Sequence, residues 1–100
     1  MAVFQEYTVP NVPNSVNQSG SLPVGALNQG FVVAYDGGVY TAQVQVSYNG
    51  TDWFNVGSAT AAPARIQVNE PAKFVRVDIT AYTSGTPAAK AVGHSGHDGN

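Results

Sequence analysis

Two segments of this chain alternate apolar and polar residues with a period of two. Even-numbered positions from 40 to 48 are apolar or aromatic, with Thr, Gln or Ser between them, and odd-numbered positions from 75 to 81 repeat the pattern. Successive side chains of a strand point to opposite faces of a sheet, so this period is typical of a half-buried β-strand. The pattern therefore predicts two long core strands. Their predicted inward side chains are Tyr40, Ala42, Val44, Val46, Tyr48, Val75, Val77, Ile79 and Ala81.

Turn signals divide the rest of the chain into short segments. Asn49-Gly50 predicts a hairpin that returns through Trp53, because Asn and Gly tolerate left-handed backbone angles. The glycines of 36–38 predict a second tight return, which would pair a strand at 31–35 with the strand that follows it. Further turns are predicted at 69–72 and 83–87, and further short strands at 3–9, 53–56, 65–68 and 88–92.

The number and spacing of these segments predict the fold class. About seven or eight short strands, with turns between them and no convincing helical period, are typical of an all-β fold. We expect one small antiparallel β-sandwich, jelly-roll or immunoglobulin-like. Residues 1–14 are predicted to form an N-terminal strand or arm, 15–92 the sandwich core, and 93–100 a flexible C-terminal tail. Within the core, glycines and prolines at 15–29 favour a short edge strand and an extended loop.

The charge content of the chain is low for a soluble domain. Of its 100 residues, 10% are Asp, Glu, Lys or Arg, against about 25% in typical domains. The net charge is −2 and the four basic residues are scattered, which does not favour nucleic acid as a partner. Amides, hydroxyls and glycine must cover the surface instead, and such a surface costs less to desolvate than a charged one. This composition suits a subunit of an assembly as well as an isolated domain.

The chain also lacks the marks of several other protein classes. It contains no cysteine, which excludes a disulfide framework and thiolate metal sites. Its apolar runs are far shorter than the ~20 residues of a membrane span. The first residues have neither the basic start nor the long apolar run of a secretory signal. We therefore expect a protein that is made in the cytoplasm and has no membrane partner.

Candidate chemical sites are weak, and each has a structural explanation. His94 and His97 are three residues apart, but the glycines around them oppose the helix on which they could share zinc or nickel. Asp36 and Asp52 lie in predicted turns, where an aspartate more often bonds its own backbone than calcium. No Ser-His pair, carboxylate pair or phosphate loop is indicated. We expect no enzymatic activity, no cofactor and no metal.

The two alternating segments also carry a family resemblance. Residues 44–56 read VQVSYNGTDWFNV, and AKFVRV at 72–77 and SGT at 84–86 follow them. This series resembles small virion proteins of tailed bacteriophages, in which a strand, a Ser-x-Asp/Asn-Gly-Thr-x-Trp turn and a Tyr/Phe-Val-Arg-Val strand build a compact β-sandwich. A similar arrangement occurs in discoidin-like jelly rolls, which bind sugar or lipid. The resemblance covers about half of the chain.

The resemblance implies a structural protein of the virion. It suggests a capsid decoration or cement protein on the capsid exterior, where it bridges capsid subunits. The implied partners are the major capsid protein and further copies of this chain, with a trimer favoured over a dimer because trimers suit three-fold positions on a shell. We place the capsid contact in the N-terminal arm, at Val3, Phe4, Tyr7 and Val9. A minor tail or baseplate component is an alternative within the same class.

A carbohydrate-binding or adhesin-like module is the alternative function from a different class. Exposed aromatic rings are the usual stacking surface for sugars, and Tyr48 and Trp53 flank the Asn49-Gly50 turn. Rings at this place more often anchor the hairpin by packing. Exposure of Tyr48 and Trp53 would favour sugar binding, and burial would oppose it.

Overall fold

All regular structure in the described part of the chain is β-strand. The computed structural model describes residues 3–25, 27 and 30–95, with the side chains of residues 3, 4 and 95 left out. All pairings between the strands are antiparallel, so the predicted all-β antiparallel class is confirmed. The described residues form six strands: β1 (Val3–Thr8), β2 (Leu22–Pro23), β3 (Phe31–Ser47), β4 (Trp53–Ala61), β5 (Ala64–Val68) and β6 (Phe74–Ser95).

The long strands β3 and β6 form the centre of the sheet. They pair along almost their whole length, from Phe31 opposite Gly93 to Ser47 opposite Phe74. At one end β1 pairs with β6 and β5 with β3, an arrangement we call the Phe31 half. At the other end β2 pairs with β6 and β4 with β3, which we call the Ser47 half. Hydrogen bonds thus join all six strands into one sheet, and the two separate sheets that define a sandwich are not confirmed.

The sequence predicts that the chain turns at 36–38 and at 83–87, and both predictions are wrong. The backbone continues as a β-strand through both segments. The short strands predicted before and after 36–38 are therefore one strand, β3, and those predicted before and after 83–87 are one strand, β6. This merging explains why the described residues form fewer and longer strands than the sequence predicts.

Glycines allow the two central strands to pass these places side by side. Gly37 and Gly85 have positive φ angles of +92° and +98°, and the register between β3 and β6 shifts next to Gly37. A Cβ atom on Gly37 would overlap the carbonyl oxygen of Thr86, and one on Gly85 would overlap the backbone of Gly38. The glycines therefore make a bulged, close-packed section of the ladder, where the sequence had indicated a reversal.

The predicted polar face departs from the structure at Gln43 and Ser47, whose side chains are both buried. The predicted inward side chains are buried with two exceptions. Tyr48 is 50% exposed because β3 ends one residue before it. Ala81 is exposed because the register shifts in front of it and places it opposite Thr41, on the outer face. The predicted side chains that the structure does bury are Tyr40, Ala42, Val44, Val46, Val75, Val77 and Ile79.

The segments before β3 are part of the sheet and its core. All six residues of β1 pair with the last part of β6, and the predicted edge strand is present as β2. Val24 and Leu27 from the following loop are buried. Of the predicted C-terminal tail, residues 93–95 lie in β6, and residues 96–100 lie outside the described residues. The described part of the chain has no helix that could cross a membrane.

Candidate functional site at the 48–52 loop

The loop at residues 48–52 joins β3 to β4 at the end of the Ser47 half. Gly50 has the positive φ angle, +84°, that an Asn-Gly turn requires. Asn49 stabilises the loop through its side chain, because Oδ1 accepts the backbone N–H groups of Thr51 at 2.8 Å and Asp52 at 2.9 Å. The predicted hairpin is confirmed, and its five-residue loop is held by an asparagine side chain.

Ser47 fixes the base of this loop. Its side chain is fully buried, and its Oγ accepts the backbone N–H of Gly50 at 2.8 Å and lies 3.2 Å from Oδ1 of Asn49, to which it donates. The alternation placed Ser47 on the polar face, and its position shortly before Asn-Gly is the signal in the sequence that indicates its role. The loop is therefore held in one conformation by its own hydrogen bonds.

Two exposed aromatic rings stand beside the loop. Tyr48 and Phe54 are 50% and 52% exposed, and their ring centroids lie 5.8 Å apart with 44° between the ring planes. Together with Asn49 and Asp52 they line a cavity of about 130 Å³. Nδ2 of Asn49 donates to Oδ2 of Asp52 at 2.9 Å, which orients the carboxylate. The cavity thus combines apolar ring surface with an oriented hydrogen-bond acceptor.

Trp53 is half-buried and is covered by Arg76. The guanidinium carbon of Arg76 lies 4.2 Å from the centre of the indole ring, within the range of a cation–π interaction. Nε of Arg76 donates to Oε1 of Gln45 at 2.8 Å, and Nε2 of Gln45 donates to Oδ1 of Asn55 at 2.9 Å. Burial lowers the pKa of Arg76 from its ordinary value. One ring face of Trp53 is therefore used in packing, whereas Tyr48 keeps an exposed ring.

The four predicted capsid contacts lie at the other end of the sheet, in β1 and just after it. Val9 is 3% exposed and belongs to the core, so its apolar surface is not available to a partner in this fold. Tyr7 is partly buried against the same core. The side chains of Val3 and Phe4 lie outside the described residues, although their backbones pair with β6.

Two grooves lie on the Phe31 half, and they share Ala34 and Arg65 in their linings. Their volumes are about 550 Å³ and about 450 Å³. Ala34 pairs with Lys90 on one side and with Arg65 on the other, so the small side chain lies between two long cationic ones. Lys90 also forms an exposed ion pair with Glu6 at 3.5 Å. No pattern in the sequence indicates these grooves, because their linings come from strands that are distant along the chain.

The candidate metal ligands are not assembled into a site in the described part of the chain. Among the described residues, no three His, Asp or Glu side chains lie close enough together to bind a metal ion. His94 is exposed in β6, opposite Phe4, and His97 lies outside the described residues. The Asp52 carboxylate accepts a hydrogen bond from Asn49 within the 48–52 loop, and Asp36 lines the larger groove.

No protein-family model, no curated protein and no solved structure matches the chain. The resemblance to phage virion proteins is therefore carried by the residues at 44–56, 72–77 and 84–86 alone, and it stays a prediction. Function has to be argued from the surfaces described above.

Proposed function

We propose that this protein is a structural protein of a bacteriophage virion, a decoration or cement protein that binds the outer capsid shell and bridges capsid subunits. The observation that carries this proposal is a long sheet with very little surface charge. Only 10% of the residues are charged, and the described residues form one ion pair. Such a surface loses little hydration when another protein covers it. The body is elongated and measures 47 × 25 × 21 Å.

We place the contact with the major capsid protein in the two grooves of the Phe31 half. The predicted arm lies at this end of the molecule, but Val9 belongs to the core and β1 is bonded into the sheet. Thr8, which lines the larger groove, belongs to β1. We therefore propose a contact that is near the predicted segment but is formed by different side chains. These are centred on Ala34 and Arg65, which line both grooves.

The test is co-sedimentation with empty shells assembled from the major capsid protein of the same genome. Ala34→Lys fills the place where the two grooves meet and adds a third cation beside Arg65 and Lys90. We expect it to weaken binding roughly tenfold or more, because it obstructs both grooves and leaves an unpaired charge in the interface. Ala59→Lys makes the same change on the exposed part of β4 and should leave binding unchanged. Wild-type protein that stays in the supernatant would contradict the proposed function. Equal binding by the two variants would contradict the grooves as the contact.

Self-association is part of the same proposal. We expect a homo-oligomer, with a trimer favoured over a dimer, because closed symmetric assemblies predominate and a three-fold axis matches the local symmetry of a shell. Light scattering on the purified protein measures the mass directly. A mass equal to one copy at all concentrations would contradict this part of the proposal.

Two alternatives share features of the fold. A minor tail or baseplate component would have the same surface, and a micrograph that locates the protein on the particle separates it from a decoration protein. A carbohydrate-binding or adhesin-like module is favoured by the exposed ring of Tyr48. It is opposed at Trp53, where Arg76 already occupies one face of the indole.

A further inference from the structure

We propose that the 48–52 loop and Phe54, near the start of β4, form a binding site for one neutral sugar ring. The site is the cavity lined by Tyr48, Asn49, Asp52 and Phe54. It lies at the opposite end of β3 from the grooves proposed for the capsid contact. The inference does not rest on the virion function, since the two surfaces involve different residues and are tested by different measurements.

The apolar part of the site is an aromatic pair. Tyr48 and Phe54 each leave about half of their surface in water, at 50% and 52%, although their rings are close enough to interact. Large apolar side chains exposed side by side mark a binding surface more often than an isolated one does. The tilted pair offers two ring surfaces to one ligand, and the aliphatic C–H face of a sugar is complementary to such rings.

The polar part of the site is the carboxylate of Asp52. Its Oδ2 accepts from the amide of Asn49, so the group is oriented before a ligand arrives. A carboxylate has about four lone-pair directions, and those that remain can accept hydrogen bonds from two adjacent hydroxyl groups of a sugar. Its negative charge disfavours sugar acids by like-charge repulsion. The chemistry therefore selects a ligand that combines neutral hydroxyls with an apolar face.

The size of the site limits its affinity. Its volume of about 130 Å³ lies well below the roughly 300–1,000 Å³ of pockets that enclose a whole small molecule. One ring, or the end of a chain, can therefore be held while most of the ligand stays in solvent. We expect dissociation constants on the order of millimolar for a monosaccharide. Several copies held in one assembly would raise the avidity for a glycan-bearing surface by multivalency.

The experiment is a titration of the ¹⁵N-labelled protein with methyl glycosides of glucose, galactose, mannose and N-acetylglucosamine, followed by amide chemical shifts. We expect saturable shifts confined to residues 48–54 for at least one glycoside, and weaker binding of sodium glucuronate. Tyr48→Ala and Phe54→Ala should each weaken the binding roughly fivefold or more, since each removes one ring contact. Tyr48→Phe, which keeps the ring, should bind like the wild type.

The matched control is Val39→Ala, which truncates another exposed apolar side chain away from the loop and should leave the titration unchanged. The proposal is overturned if no glycoside gives saturable shifts, if the shifts centre on other residues, or if both alanine variants bind as tightly as the wild type. Shifts of residues 48–54 that follow protein concentration in the absence of sugar would assign the aromatic pair to self-association and would also overturn the proposal. Capsid co-sedimentation of Tyr48→Ala is expected to be normal, so failure here and failure of the virion proposal are distinguishable.

Discussion

The side-chain amide of Gln43 lies 3.0 Å from the carbonyl oxygen of Val56, inside a bulge of β4. Nε2 also donates to the carbonyl oxygens of Val44 at 3.1 Å and Gly57 at 3.3 Å. The pairing between β3 and β4 shifts here, so that residues 57–59 of β4 face Gln43 alone. The buried amide therefore supplies the donor that the interrupted ladder lacks at this point.

Gln43→Leu is expected to destabilise the protein by about 1–3 kcal/mol, because it leaves partly buried carbonyl oxygens without a donor. Gln18→Leu is the control, since that side chain is exposed and should change the free energy of unfolding by less than about 0.5 kcal/mol. Urea unfolding followed by circular dichroism measures both variants. Equal stability of the two would show that water replaces the Gln43 amide in the bulge.

Gly37→Ala tests the close-packed section of the central ladder. Its Cβ would overlap the carbonyl oxygen of Thr86 at a backbone φ of +92°, so we expect a loss of about 2 kcal/mol or more, or failure to fold. Gly25→Ala is the matched control, because nothing lies within 4 Å of the Cβ it would add. That variant should stay within about 1 kcal/mol of the wild type, in the stabilising direction. A tolerated Gly37→Ala would contradict the register of β3 and β6 at this point.

Val9→Ala tests whether the segment after β1 belongs to the core. Val9 is 3% exposed and Val16 is 63% exposed, so the same truncation removes buried surface in one case and exposed surface in the other. We expect a loss of about 2 kcal/mol for Val9→Ala and less than about 0.5 kcal/mol for Val16→Ala. Thermal unfolding of the two variants under one set of conditions makes the comparison. A harmless Val9→Ala would restore this residue as a candidate contact.

Two buried tyrosines predict how stability depends on pH. Tyr40 donates from its hydroxyl to the carbonyl oxygen of Asp36 at 2.6 Å, and its ring centroid lies 6.0 Å from that of Tyr35. Burial raises the pKa of Tyr40 from 10.0 to about 12, and burial also raises the pKa of Tyr35. Because both phenols hold their protons more tightly in the folded protein, they contribute their full stability below pH 10. That contribution is lost as the pH rises towards 12.

Between pH 7 and about 9 these tyrosines should not change the melting temperature. Between pH 10 and 12 we expect the melting temperature to fall steeply. Tyrosinate absorbance should be recorded in parallel. We expect part of its increase to occur at the same pH as unfolding, because the buried tyrosines ionise when the protein unfolds. Tyr40→Phe should reduce the slope above pH 10, at the expense of the hydrogen bond to Asp36. An unchanged slope in that variant would assign the alkaline transition to other groups.

The sequence predicts the inward faces of the central strands well and their continuity poorly. Alternation alone locates Val44 and Val77 in the core, because a period of two needs no knowledge of the partner strand. Whether a glycine pair such as Gly37-Gly38 reverses the chain or bulges it depends on what lies opposite. That residue is Gly85, far along the chain, so local reasoning could not decide between the two.

The candidate site was predicted in part, for a related reason. The place of Tyr48 beside the Asn49-Gly50 turn predicts an exposed stacking ring, with Trp53 as the second ring. In the structure β4 begins at Trp53, as predicted, but Phe54 is the ring that Tyr48 meets. Which ring meets Tyr48 depends on the conformation of the loop, and the residue pattern does not state that conformation.

The continuity of β3 and β6 determines how the molecule opens. Neither half of the sheet has a boundary at which it could unfold alone, because each is built on the same two strands. The backbone amides of β3 and β6 should therefore exchange with solvent deuterium in one cooperative event, at both ends of the sheet. A partner that binds the Phe31 half, or a ligand in the 48–52 loop, would slow exchange throughout the sheet, including the half it does not touch.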